Sequence, residues 1–291
     1  YSSSISLMVS ALEVYAHLLN KGIRPCFLST WVTPIDRIKT LKLLQKKEKN
    51  GELRHLVATQ VVEAGMDLDF HMVFRDFGPL DSIVQVAGRC NRHSRLKEAG
   101  KVYVARLISE ESGYNYSRIY DQVLLKQTHK LLSEHPCFDE KDVPQIVERY
   151  YRLIQAAIDS APIWENISEG YWGEYYPIIE EKKVYEGMLV IDKDGKLEPE
   201  IKSILDTKKT LQNAGERRTF FRKLSNHTIS VPLELLEEWN QKEGGMILDD
   251  NEKRIEQLDE NMWLLRPAGI NKIYSPEFGF IPPDFKELIS F

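Results

Sequence analysis

The sequence lacks most of the features that would place a protein in a secreted, membrane or metal-binding class. Its three cysteines, Cys26, Cys90 and Cys137, are odd in number and widely spaced, so they form no metal-type pair. No apolar run approaches the roughly 18 residues that a membrane span needs, and we find no signal-peptide pattern at its start. These absences favour a reducing, cytoplasmic setting without a membrane partner.

A surplus of positive charge is also lacking. The 291 residues carry 39 Lys and Arg against 44 Asp and Glu, for a formal net charge of −5 and a pI of about 5.9. A general polyanion binder is therefore excluded, and any nucleic acid must be bound by a local basic patch. The composition, 42% hydrophobic and 29% charged, is that of a globular protein long enough for two domains.

Helices and strands alternate over residues 1–110. An amphipathic helix, SLMVSALEVYAHLLNKG, closes at Gly22, and a basic helix begins at Thr33 with Pro34 in its first turn. Four short apolar segments have strand character: IRPCFLST, LRHLVATQ, HMVFRDF and KVYVARLI. This alternation predicts an α/β fold with a parallel sheet flanked by helices, whose loops gather at the carboxyl ends of the strands.

The pattern changes after residue 110. Two amphipathic helices, SRIYDQVLLKQTHKLLSEH and DVPQIVERYYRLIQAAIDS, predict a helical connector over residues 111–165. Residues 166–291 mix aromatic, strand-like segments with a helix, which predicts a small mixed α+β C-terminal domain. We therefore expect three parts: a lobe over residues 1–110, the connector, and a C-terminal accessory domain.

Polar residues follow the second of the four strands. The stretch VVEAGMDLDF comes directly after LRHLVATQ, whose Thr59 would lie at the carboxyl edge of the sheet, where open α/β sheets bind ligands. Gly65 would let the backbone approach a ligand closely, and Asp67 has the chemistry to accept a hydrogen bond from a ribose hydroxyl. Because Glu63, Asp67 and Asp69 repel phosphate, an anion bound here needs a source of positive charge. The alternative is that the two aspartates are turn carboxylates.

The stretch FGPLDSIVQVAGRCNR supplies positive charge. Its pattern predicts a helix that carries Gln85, Arg89 and Arg92 on one face, at spacings of four and three residues. Two guanidiniums placed in this way suit a polyphosphate, because each can bind oxygen atoms bidentately. The alternative is that both arginines pair with a nearby carboxylate, Asp81 or Glu98, on a solvated face.

These motifs resemble those of a known family. TQVVEAGMDLDF, RDFGPLDSI and QVAGRCNR are similar to motifs V and VI of superfamily 2 helicases. More narrowly, they resemble the CRISPR-associated type I interference helicase, a helicase–nuclease recruited by the Cascade surveillance complex. LSTWVTPIDR is similar to the segment that precedes these motifs in that family. The resemblance is strong over about residues 11–108 and weaker in the C-terminal part.

The resemblance implies that residues 1–110 form the second RecA-like lobe of an ATP-dependent motor. In that lobe Arg89 and Arg92 would be arginine fingers on the γ-phosphate of ATP, organised by Gln85. Gly65 and Asp67 would lie on the ribose side of the nucleotide. ATP with Mg²⁺ would be held mainly by a first lobe that this sequence does not contain.

The resemblance also implies contacts with single-stranded DNA. Thr59 would contact the DNA backbone, and Arg37 is a weaker candidate for a phosphate contact. The implied partners are the first RecA-like motor lobe, an HD nuclease and the Cascade complex.

Two parts of that family's machinery are not found in the sequence. There is no G-x-x-x-x-G-K-[ST] segment to hold nucleotide phosphates, and no histidine stands next to an aspartate, as the metal-dependent HD nuclease requires. The letters DEKD at 139–142 match a Walker B box, but they follow no buried strand, so we interpret Asp139 as a helix N-cap. We therefore expect part of a larger motor, with its lobe truncated at the start, which is inactive alone.

Two other functions stay open from the sequence. The chain could be a non-catalytic module that docks on DNA or on Cascade through its C-terminal domain and hydrolyses nothing. It could also be part of another superfamily 2 helicase that acts on RNA, because contacts with the nucleic-acid backbone do not by themselves distinguish the 2′-hydroxyl.

Overall fold

The computed structural model describes most of the chain. The described residues are 3–63, 66–94, 99–109, 113–114, 119–157, 168, 186–199, 201, 214–244, 253–283 and 285. The chain divides into two compact units, of which the first comprises residues 3–7 and 62–183 and the second comprises residues 8–61 and 184–291.

The second unit begins with alternating helices and strands. These are α1 (Ser3–Asn20), which enters this unit at Met8, then β1 (Cys26–Leu28), α2 (Pro34–Lys49) and β2 (Leu56–Ala58). Strands β1 and β2 pair in parallel. Gly22 leaves α1 with φ 77°, a conformation that glycine adopts without strain. Thr33 is the N-cap of α2 and Pro34 follows it, as the sequence predicts.

The first unit contains a second parallel pair of strands. Its elements, in chain order, are β3 (Met72–Asp76), α3 (Leu80–Ala87), β4 (Lys101–Ala105), β5 (Ile108–Ser109), β6 (Gly113–Tyr114), α4 (Gln122–Glu134) and α5 (Val143–Ala157). Strands β3 and β4 are parallel, and the short β5 and β6 are antiparallel. Leu80 of α3 packs with Leu131, Ile146 and Tyr150 in one buried cluster, which joins α3 to the two amphipathic helices that the sequence predicts.

The DEKD segment forms a helix start in the first unit. Asp139 is the N-cap of a short 3-10 helix (Glu140–Asp142), and the Asp142 carboxylate accepts a hydrogen bond from the Asp139 backbone N–H at 3.0 Å. This arrangement satisfies one of the donors that every helix start leaves unpaired. The interpretation of Asp139 as an N-cap is confirmed.

A four-stranded mixed sheet dominates the remainder of the second unit. The elements are β7 (Glu186–Ile191), α6 (Ala214–Ser225), β8 (Thr228–Pro232), α7 (Leu233–Gly244), β9 (Ile255–Asp259) and β10 (Met262–Leu265), with the strands in the spatial order β8, β7, β10, β9. Only the β7–β10 pair is parallel in this sheet. Val190 and Leu264 pack against Leu224 of α6 in a buried cluster. Among the described residues, no helix is long and apolar enough to cross a bilayer.

A small antiparallel pair, β11 (Tyr274–Ser275) and β12 (Gly279–Phe280), packs on the beginning of the second unit. The Phe280 ring meets the Trp31 ring edge-on with 5.4 Å between centroids, and the Phe280 N–H donates to the Trp31 carbonyl at 3.0 Å. Edge-on aromatic pairs add to the free energy gained by burial. Residues from both ends of the sequence therefore share one core.

A buried polar cluster reinforces this packing. The Asp36 carboxylate, 1% exposed, accepts hydrogen bonds from Thr33 Oγ1 at 2.9 Å and from Tyr274 OH at 2.7 Å. It also forms ion pairs with Lys193 and, at 3.2 Å, with Lys39. A buried carboxylate is stable only when it is paired and hydrogen-bonded, so this cluster ties α2 to residues more than 150 positions away.

The mixed α/β arrangement is confirmed, but the sheet differs from the predicted one. Among the described residues, the four strands predicted before residue 110 form two parallel pairs, β1–β2 and β3–β4, rather than one RecA-like sheet. The compact units also cut across the boundaries expected at 110 and 165, because residues 8–61 pack with the C-terminal part of the chain. The three-part division stays a prediction about folding domains.

Candidate functional site

The two arginines of QVAGRCNR lie beyond α3 rather than on it. The helix ends at Ala87, Gly88 is its C-cap, and the chain then turns with Asn91 in the left-handed region at φ 50°. Asparagine tolerates that conformation better than most residues. The prediction that Arg89 and Arg92 share a helical face is therefore wrong, because the helix is too short to carry them.

Arg89 is bound to the backbone of the loop at residues 62–63. Its Nε donates to the Val62 carbonyl at 3.2 Å, and its Nη2 donates to the Glu63 carbonyl at 3.1 Å. The Arg89 carbonyl in turn accepts a hydrogen bond from the Phe70 N–H at 2.9 Å. Side chain and backbone together hold the half-buried guanidinium in one place within the first unit.

Arg92 is held by the segment that follows this loop. Its Nη1 donates to the Met66 carbonyl at 3.0 Å and lies 3.6 Å from Asp67 Oδ1. Its backbone N–H donates to Asp69 Oδ1 at 2.8 Å. The Arg92 side chain is 39% exposed, so it is accessible to a ligand.

The two aspartates of this segment have different surroundings. Asp69 is 8% exposed, and its carboxylate accepts hydrogen bonds from the backbone N–H groups of Arg92 and His93. It is a turn carboxylate that shapes the segment carrying Arg92. Asp67, by contrast, is 67% exposed, and its Oδ1 lies 3.3 Å from His93 Nε2. Of the two, only Asp67 offers a carboxylate to solvent.

The charges around Arg89 favour an anion. Burial lowers the pKa of Arg89, and the positive charge of Arg92 lowers it further, while Asp67 acts in the opposite direction. Arginine remains protonated in proteins, so the lowered pKa reflects burial first and repulsion from the Arg92 guanidinium second, rather than loss of charge. A phosphate between Arg89 and Arg92 would relieve that repulsion.

A second polar cluster lies behind the loop that holds Arg89. Arg75 Nη2 lies 3.1 Å from Glu63 Oε1, and it also donates to Ser82 Oγ and to Tyr120 OH, both at 2.8 Å. Ser82 Oγ donates to the same Glu63 oxygen at 2.7 Å. Sequence reasoning missed this cluster. The available signal was Arg75 itself, a charged residue within an otherwise apolar predicted strand, where a charge needs a partner if it is buried.

Two other predicted site residues belong to the same part of the chain. Gln85 is exposed on α3, one turn before Arg89. Gly65 lies outside the described residues, so its predicted role at the nucleotide stays a prediction.

The predicted DNA-contacting residues belong to the second unit. Thr59 follows β2 directly, as expected, and its N–H donates to the Leu28 carbonyl at 3.0 Å. It is only 7% exposed, which leaves it little surface for a ligand. Arg37, in the first turn of α2, is half buried, and burial lowers its pKa.

The arrangement in the first unit suits binding of a phosphate group. Two guanidiniums are anchored by backbone carbonyls, which leaves charge available for an anion. Among the described residues, no three His, Cys, Asp or Glu side chains are grouped so that they could hold a metal ion. The Mg²⁺ that the resemblance implies therefore does not fit this chain's described residues and would need ligands from elsewhere.

Comparison with known proteins confirms the predicted family resemblance. Residues 6–95 match the family model described as CRISPR-associated nuclease/helicase Cas3, C-terminal. A CRISPR-associated nuclease/helicase Cas3 from Haloferax volcanii is 68% identical over 37 residues, which are 13% of this chain and 4% of that protein. The chain thus matches a small part of that relative's length.

Solved structures show the same fold over most of the chain. T. fusca Cas3 with ATP has a TM-score of 0.53 at 17% identity, over 89% of this chain and 34% of that chain. A CRISPR RNA-guided surveillance complex in a pre-nicking state contains a chain with a TM-score of 0.53 at 18% identity, over 90% of this chain and 36% of that chain. The chain therefore spans about a third of the length of these structures.

Proposed function

We propose that this chain, whose residues 6–95 match the C-terminal model of the Cas3 nuclease/helicases, is the C-terminal part of an ATP-dependent DNA helicase of CRISPR defence. The observation that carries the proposal is the pair of anchored guanidiniums, Arg89 and Arg92, in the matched segment. The match with T. fusca Cas3 bound to ATP supports a nucleotide as the ligand. The second RecA-like lobe and the arginine-finger chemistry belong to this proposal.

Arg89 and Arg92 would act on the phosphate groups of ATP, and Gln85 would help to organise them. When bound on a first motor lobe, ATP supplies a γ-phosphate on which negative charge develops during hydrolysis. The two guanidiniums would stabilise that charge, as arginine fingers do. Their anchoring by carbonyls of residues 62, 63 and 66 supports this role, because a preorganised donor needs no rearrangement when the charge develops.

Asp67 and Gly65 would contact the ribose side of the nucleotide. The exposure of the Asp67 carboxylate supports this role, since a ribose hydroxyl must reach it from solvent. His93 lies within reach of the same carboxylate oxygen, so a ribose would compete with His93 for Asp67.

Contacts with single-stranded DNA would come from Arg37 and Thr59 in the second unit. Arg37, a partly exposed residue in the first turn of α2, would bind a DNA phosphate. Thr59 is nearly buried, so a contact with the DNA backbone would require the end of β2 to open slightly.

The proposed partners complete the motor. A first RecA-like lobe would supply the phosphate cradle and Mg²⁺ ligands that this sequence lacks, and an HD nuclease would cut the DNA. The match with a chain of a CRISPR RNA-guided surveillance complex supports recruitment to Cascade.

The test is ATP turnover in a motor that contains both lobes. Arg89→Ala should lower the DNA-stimulated kcat by roughly 100-fold or more, because arginine fingers contribute several orders of magnitude to phosphoryl transfer. Arg152→Ala is the matched control, since Arg152 lies on the exposed face of α5 in an ion pair with Glu148. If kcat is the same with and without Arg89→Ala, the motor proposal is wrong. That result would favour a non-catalytic module that docks on DNA or on Cascade.

A further inference from the structure

Glu63 occupies the junction between the Arg89 loop and the buried cluster behind it. Its backbone carbonyl accepts the Arg89 Nη2 hydrogen bond at 3.1 Å. Its side-chain carboxylate accepts hydrogen bonds from Arg75 at 3.1 Å and from Ser82 at 2.7 Å. One residue thus connects the candidate finger to β3 and α3.

The Glu63–Arg75 pair is shielded from solvent. Their side chains are 16% and 13% exposed, and Ser82 is 7% exposed. Arg75 Nη2 also donates to Tyr120 OH at 2.8 Å, so this one nitrogen meets Glu63, Ser82 and Tyr120. Removing one partner from such a pair leaves an uncompensated buried charge, which is costly. The two side chains are therefore held firmly in contact.

We infer that Glu63 and Arg75 are positioning residues, which fix the backbone of the loop at 62–63 and thereby the Arg89 guanidinium. Neither residue would touch the nucleotide. The inference rests on the proposed function, because Glu63 and Arg75 would affect catalysis only by positioning Arg89. It explains why β3 carries an arginine near its end, where an apolar residue would stabilise the strand equally well.

The role predicts a particular kinetic signature. A finger displaced by a fraction of an ångström loses its interaction with the transition state, while ATP binding by the first lobe is unaffected. Variants of Glu63 and Arg75 should therefore lower kcat for ATP and leave KM within about twofold. If the cluster only stabilised the fold, these variants would lower the melting temperature and the fraction of active protein. Their effects would then be independent of Arg89.

The decisive experiment is a double-mutant cycle on DNA-stimulated ATP turnover in the motor that contains both lobes. Glu63→Gln keeps the shape of the side chain but removes its charge, and we expect kcat to fall roughly 10-fold or more. With Arg89→Ala already present, the same substitution should change kcat by less than about twofold, because the guanidinium that Glu63 positions is then absent. Glu148→Gln, in an exposed ion pair on α5, is the control for loss of a carboxylate.

A milder variant tests the same role in case Glu63→Gln does not fold. Tyr120→Phe removes one hydrogen bond to Arg75 and keeps the ring, so it should fold and lower kcat by a few-fold. If Arg89→Ala lowers kcat but Glu63→Gln and Tyr120→Phe do not, or if their effects multiply with that of Arg89→Ala, the positioning role is overturned and the proposed function stands. If Arg89→Ala itself has no effect, the proposed function fails.

Discussion

Asp36 has a charged side chain that is buried within the second unit. Burial alone would raise the pKa of its carboxyl, but hydrogen bonds from Lys193, Tyr274 and Thr33 outweigh burial and lower the pKa below its ordinary value of 3.8. The folded state therefore binds a proton at Asp36 more weakly than the unfolded chain does. Its stabilisation is fully present above the unfolded pKa and is lost as the pH falls through the folded pKa.

We expect Asp36→Asn to destabilise the second unit at neutral pH by about 2–3 kcal/mol, because hydrogen bonds to a charged group are worth more than neutral ones. The difference between variant and wild type should shrink as the pH falls below 4. Denaturant unfolding at pH 7 and at acid pH measures both quantities. Asp194→Asn, in an exposed pair with Lys196, should change little at either pH; an equal loss in both variants would argue against the buried cluster.

At the scale of elements, the pair β11–β12 has one position that requires glycine. Gly279 has φ 89°, and a Cβ at this position would lie 2.3 Å from the Trp31 carbonyl oxygen. The strand pair can therefore approach the segment after β1 only because this residue has no side chain. The close approach brings the Phe280 ring onto Trp31.

Gly279→Ala should lower the free energy of unfolding by about 2–4 kcal/mol, since it adds a backbone clash to the strain of a positive φ. Gly195→Ala is the matched control. Gly195 also has a positive φ, 70°, but the nearest atom to its added Cβ is 4.0 Å away. It should cost only about 1 kcal/mol, the strain alone. Similar losses in the two variants would show that the contact with Trp31 does not restrict position 279.

At the scale of the whole chain, the net charge of −5 limits how these 291 residues can bind DNA. A negative molecule does not attract a polyanion through its overall field, so affinity must come from a few local contacts. Such binding still weakens with salt, by about 0.7 in log–log slope for each phosphate neutralised on a single strand.

We expect Arg37→Ala to reduce that slope by about 0.7, the value for one lost phosphate contact. Fluorescence anisotropy of a labelled single strand, titrated with the motor over a range of salt concentrations, gives the slope directly. Arg152→Ala, on the exposed face of α5, should leave it unchanged. An unaltered slope in the Arg37 variant would remove this residue from the DNA interface.

The sequence by itself determined the local elements and the family resemblance. Gly22 marked the end of α1, Thr33 and Pro34 marked the start of α2, and Asp139 marked a helix start, because caps and breakers act through neighbouring backbone groups. The four strands lie within the short apolar segments that predicted them.

Only the tertiary structure decided which groups meet. The pairing of Tyr274 with Asp36 joins residues 238 positions apart, and the contact of Glu63 with Arg75 depends on how a loop packs on a strand. Arg89 lies beyond α3 because the helix ends at Ala87 with Gly88 as its C-cap, which helical spacing in the sequence did not predict. Sequence periodicity indicates which residues are neighbours within one helix or strand. These contacts join separate elements, and they form because buried charges and rings need partners that other elements supply.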